Sequence, residues 1–212
     1  MMRRVKYLIL FSSWLRISVI LTNCGPRASL RGLQELDEEY ERLLRNWTQS
    51  GIIHRDLDRM LTVHATYLAP DFRQAFGVQY TKIFGIDPGK VDTDLELIAT
   101  TTGQGHEFFM FTDITEDAWN NLDERDAVWR MALWGSPDQA GLPPASIHKF
   151  RGRGPNLKAF FPYIQGFGQS YLVTFPYKQE NNEAVINPEH GSLMIKLASA
   201  FGTVKLHWKV QE

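Results

Sequence analysis

The stretch Ser192-Leu-Met-Ile-Lys-Leu-Ala-Ser199, followed across Ala200-Phe-Gly202 by Thr203-Val-Lys-Leu-His-Trp-Lys-Val210, alternates with a period of two in both runs. Leu193, Ile195 and Leu197 alternate with Met194, Lys196 and Ala198. Val204, Leu206, Trp208 and Val210 alternate with Lys205, His207 and Lys209. Successive side chains on a strand point to opposite faces, so this pattern predicts an antiparallel hairpin with one dry and one wet face. Working back along the chain, further extended segments are expected at Leu95 to Thr101, Glu107 to Thr112, Ala127 to Trp134, Ser146 to Arg151 and Gln169 to Tyr177, with Gly103-Gln-Gly105 turning between the first two.

Ahead of these, Ile86-Asp-Pro-Gly-Lys90 is the clearest break in the chain, and helical spacing is expected on its N-terminal side. Leu33, Leu36, Tyr40, Leu43 and Trp47 fall three or four apart, with Ser29 as a cap and Gly51 as a stop. Ile53, Leu57, Leu61, His64, Ala65 and Leu68 outline a second helix, on which His64 reads as a core histidine. Pro70 then opens a third, carrying Phe72, Phe76, Tyr80, Ile83 and Phe84 and ending at Gly85. The expected fold is therefore α+β: N-terminal amphipathic helices packed on an antiparallel β-sheet or β-sandwich. A helical region over 30–86 and a β region over 91–212 would share one core.

The composition is that of a globular protein, with 43% hydrophobic and 22% charged residues in 212. Residues 1–23 hold Arg3, Arg4, Lys6 and Arg16 and no acid, which leaves 19 basic against 24 acidic residues in the rest. A mildly acidic body argues against nucleic acid as a partner. The single cysteine, Cys24, precludes an internal disulfide, so stability has to come from packing.

Met1 to Lys6 is basic, Tyr7 to Leu15 mostly apolar, and Ile17 to Leu21 apolar again after Arg16. This order of basic and apolar regions before a short processing site reads as a secretory signal peptide over 1–23, with a signal anchor or an amphipathic N-terminal helix as alternatives. Leu21-Thr22-Asn23-Cys24 at its end resembles a bacterial lipobox, and with it the chain resembles uncharacterised bacterial lipoproteins. Asn23 stands where a smaller residue is usual, and Arg16 interrupts the apolar run. The resemblance implies lipidation of Cys24, a tether over 24–29, and membrane attachment through acyl chains, each buried CH₂ contributing roughly 0.8 kcal/mol. Gly25, where Asp would imply inner-membrane retention, implies the outer membrane facing the periplasm. Arg27 and Arg31 would lie within reach of lipid headgroups.

Motifs for chemistry fail on spacing. His106-Glu107 starts like a zinc-protease motif, but Met110 stands where the second histidine belongs. Gly152-Arg-Gly154 and Gly166-Phe-Gly168 lack the third glycine of a dinucleotide loop. Asp92-Thr-Asp94-Leu-Glu96 lacks the glycine and closing glutamate of a calcium loop. His54, His148, His190 and His207 have no ligand-like spacing. The aromatic cluster Phe160-Phe-Pro-Tyr163, Phe167, Tyr171, Phe175 and Tyr177 suits a core or an apolar groove, with Arg151 and Arg153 beside it. No catalytic residue, cofactor or metal is therefore assigned. The expected function is a membrane-anchored envelope lipoprotein that binds a protein or apolar ligand or scaffolds a complex. The alternative is an envelope hydrolase with a dispersed site near His106, His148 or His190.

Overall fold

The computed structural model describes residues 36–86, 94–100, 105–136, 140–150, 155–179, 182–186 and 191–210. Cys24, the segments 1–23 and 24–29, Arg151, Arg153 and His190 lie outside them. In chain order the elements are α1 (Glu38–Trp47), β1 (Thr48–Arg55), β2 (Asp58–Tyr67), α2 (Pro70–Phe84), α3 (Asp94–Ala99), β3 (Gly105–Ile114), β4 (Arg130–Trp134), β5 (Ser146–Lys149), α4 (Pro155–Phe160), β6 (Gln169–Pro176), β7 (Ser192–Ser199) and β8 (Gly202–Lys209). A five-stranded sheet runs β1-β2-β3-β6-β5 and a three-stranded sheet runs β4-β7-β8, every pairing antiparallel.

This corrects the α+β expectation of N-terminal amphipathic helices packed on a sheet. The described chain is mostly antiparallel β, eight strands in two sheets with four short helices. The decisive difference lies at 53–68, where a helix is expected and the β1–β2 hairpin stands. Ile53, Leu61 and Ala65 satisfy a period of two as well as a helical one, since Leu61, Val63, Ala65 and Tyr67 share one buried strand face. The β-branched residues Ile52, Ile53, Thr62, Val63 and Thr66 favour the extended form. Asp56 adopts φ 55° in the two-residue turn that joins Arg55 to its partner Asp58, and Leu57 at the tip is 99% exposed rather than on an apolar stripe.

Other boundaries move for local reasons. α1 starts later than Ser29, at Glu38, with the Asp37 side chain accepting from the Glu39 N–H. It ends at Trp47, because Thr48 is already extended and leads into β1. Gly51 stops no helix. It lies inside β1, where a Cβ would overlap the Val204 side chain of β8, so its lack of a side chain permits the two sheets to meet. In place of the strand expected at Leu95 to Thr101, residues 94–99 form α3, which buries Leu95 and Ile98, three apart. α2 forms where expected, and Gly85 closes it at φ 69°, its N–H donating to the Thr81 carbonyl at 2.8 Å.

Two cores result, one on each face of the five-stranded sheet. Between the sheets lie Val63, Phe108, Tyr171, Ile195, Leu206 and Trp208. Beneath the helices lie Tyr40, Phe72, Phe76, Phe109, Phe160 and Phe161. Strand β3 has both faces covered, and Phe108 and Phe109 are fully buried on opposite sides. Each such side chain contributes roughly 1.5–3 kcal/mol on burial.

The Arg73 guanidinium ties the helical layer to β3. It donates to Glu107 Oε2 at 2.6 Å and to the carbonyls of Leu68, Ile98 and Thr100, at the end of α3. Burial pulls its pKa below the ordinary guanidinium value, with the Glu107 charge opposing that change. Among the described residues no helix is long and apolar enough to cross a membrane.

Candidate binding cleft

The two sheets meet along one side and part along the other. On the closed side the Trp208 indole of β8 donates to the Trp47 carbonyl at 2.8 Å, and Gly51 of β1 lies against Val204 and Leu206. On the open side the edge strands β4 and β5 belong to different sheets. A cleft of about 720 Å³ occupies this seam, lined by residues from 122–131 and 143–147. Trp129, Met131, Leu122 and Ile147 give it apolar walls. Pro143 and Pro144 present no backbone N–H there.

The walls are held from below. Asn120 accepts from the Thr112 hydroxyl at 2.7 Å and donates back to the Thr112 carbonyl at 3.0 Å. The Tyr171 hydroxyl donates to the Asn120 carbonyl at 2.7 Å. Burial pushes the Tyr171 phenol well above its usual pKa, so it stays protonated as a donor. Trp119 stacks on Phe201 at 4.7 Å and fixes the start of the same loop to the β7–β8 turn. On the far wall, Leu133 of β4 and Leu142 exchange both backbone hydrogen bonds.

Trp129 is 1% exposed, and its indole Nε1–H has no acceptor among the described residues. An unsatisfied buried donor costs about 1–3 kcal/mol, a cost that an acceptor on a bound molecule would relieve. At the rim, Asp123 lies 4.0 Å from the Lys149 ammonium, and Glu124 accepts from Asn121 Nδ2 at 2.9 Å. Arg125 and Arg130 also line the cleft and form no ion pair among the described residues. Apolar walls with a few inward polar groups suit a small amphiphilic molecule.

The structure places the residues singled out from sequence elsewhere. His106 and Glu107 are neighbours on β3, so they point to opposite faces and cannot act together. His106 Nδ1 meets the Tyr67 hydroxyl at 3.1 Å between the sheets, and burial lowers its pKa to about 4. Glu107 faces the helices and holds Arg73. His64 stacks on Tyr163 at 5.0 Å with its pKa lowered by burial. His148 meets Phe150 edge-on at 5.5 Å. The aromatic cluster divides between the cores: Phe160 and Phe161 lie under the helices and Tyr171 and Phe175 between the sheets, while Phe167 is 77% exposed. Gly168 needs its missing side chain because a Cβ would overlap Phe111 and the Thr112 carbonyl. Among the described residues no group of three His, Cys, Asp or Glu is placed to hold a metal ion.

The cleft itself carries no sequence signature. Asp123-Glu-Arg-Asp126 and Pro143-Pro144 read only as loop residues, and the one hint, a tryptophan next to them, acquires its meaning from packing. Comparison with protein-family models, with curated proteins and with solved structures finds no match to this chain.

Proposed function

We propose that the chain is a cell-envelope lipoprotein, held to the membrane through acyl chains on Cys24, whose folded body is a non-enzymatic binding module. The observation that carries the binding half is the seam cleft, one of whose walls is Trp129, a residue whose buried indole N–H has no acceptor among the described residues. A ligand with an apolar body and one acceptor atom would fill the walls and satisfy Trp129. The anchoring half rests on Leu21-Thr22-Asn23-Cys24 after the basic and apolar N-terminal regions. With Gly25 after the cysteine, the outer membrane facing the periplasm is the proposed location.

Both halves are open to direct test. Cys24→Ser should move the full-length protein from the membrane pellet to the soluble fraction and abolish acyl labelling; pelleting unchanged, with no label on the wild type, would defeat the anchor. Native mass spectrometry of the purified protein should reveal a bound small molecule. Trp129→Phe keeps the shape and removes the donor, so it should leave the fold intact while weakening retention of that molecule about tenfold or more. Equal retention by the variant would remove Trp129 from the site.

A further inference from the structure

The outer face of the three-stranded sheet carries a second arrangement, away from the seam's interior and independent of the anchor. The register of β7 and β8 places Lys196 directly opposite Lys205, and the alternation turns both away from the core. Like charges facing each other across a strand pair are destabilising. Among the described residues neither lysine forms an ion pair. Lys209 projects from the same face, and the outward positions of β4, β7 and β8 hold no carboxylate. In a chain with more acids than bases, one sheet face has collected cations at a cost to the fold.

The face is also shaped. The register aligns Trp134, Met194 and His207 in one row and Ala132, Lys196 and Lys205 in the next. A hollow of about 440 Å³ opens there, lined by Trp134, Ser136, Ser192, Met194, both lysines and His207. Trp134 is held in place by Gly141, where a Cβ would overlap the six-membered ring of the indole. A fixed aromatic surface thus lies beside two ammonium groups.

The geometry points to a binding site for a phosphate monoester carried on a ring whose face can lie against an indole. Lys196 and Lys205 neutralise the two charges of the ester, which relieves their mutual repulsion, and the ring lies against Trp134. The same chemistry is offered by a phosphorylated sugar and by an aromatic phosphate, and the probes below separate them.

The full-length protein is titrated with inorganic phosphate, glucose 6-phosphate and phenyl phosphate, read by calorimetry and by the Trp134 indole N–H signal in NMR. At least one ring ester should bind about tenfold or more tightly than inorganic phosphate, and the tighter of the two identifies the ring. Lys205→Glu should abolish this binding and, in the absence of any anion, raise the midpoint of thermal unfolding, because it converts a repulsive pair into an attractive one. Trp134→Ala should reduce ester affinity to that of inorganic phosphate. The proposal is overturned if neither ester exceeds phosphate, if Lys205→Glu retains the binding, or if that variant melts earlier than the wild type.

Discussion

His106 shows how position on a strand decides what a titratable group can do. Its imidazole lies between the sheets against Tyr67 and Tyr177, with a pKa lowered to about 4 by burial. The unfolded chain takes up a proton near pH 6.5 and the folded chain does not until about pH 4. The unfolded state therefore binds more protons through that window, and stability falls as pH drops from about 6.5 to about 4. The contribution lost is about 3 kcal/mol. Denaturant unfolding of the wild type and His106→Gln across this range should show the variant lacking that part of the slope; identical slopes would mean that His106 is protonated in the fold. A histidine so disposed is poorly suited to accept a proton near neutrality.

The helices and strands differ in how much of them the chain announces. β7 and β8 are legible because one face is wet: Lys196, Lys205 and Lys209 mark the outside, so the period is unambiguous. β1 and β2 are not, because Leu61, Val63, Ala65 and Tyr67 alternate with Thr62, His64 and Thr66 while Ile53, Leu57, Leu61, Ala65 and Leu68 also fit a helical spacing, so two periods compete over the same residues. α3 is six residues long and offers too few turns to reveal its period. The seam cleft was illegible for a different reason, since its lining comes from loops whose residues acquire a shared surface only when both sheets are in place. Glycines within these elements separate necessity from tolerance. A Cβ on Gly77 of α2 meets nothing within 4 Å, so Gly77→Ala should stabilise by about 1 kcal/mol. On Gly105 of β3 a Cβ would overlap the Phe175 backbone carbonyl, and Gly105→Ala should cost about 1–3 kcal/mol. Thermal and chemical denaturation of the two variants would test the opposite signs.

For the molecule as a whole, the sheets are joined along β1 and β8 and parted along β4 and β5, which predicts uneven protection from amide exchange. β3, covered on both faces and paired on both edges, should exchange slowest, and the four-residue edge strand β5 should be the first to open. Uniform protection would argue against a seam that opens locally. The join has a further consequence, for biosynthesis. Trp208 donates its hydrogen bond to Trp47, 161 positions earlier, and β8 contributes Val204, Leu206 and Trp208 to the inter-sheet core. A nascent chain therefore lacks one wall of that core until β8 has been made. Pairing segments 161 positions apart makes closure of this core a slow step that has to wait for β8, so the inter-sheet core forms after the hairpin β1–β2 can already be in place.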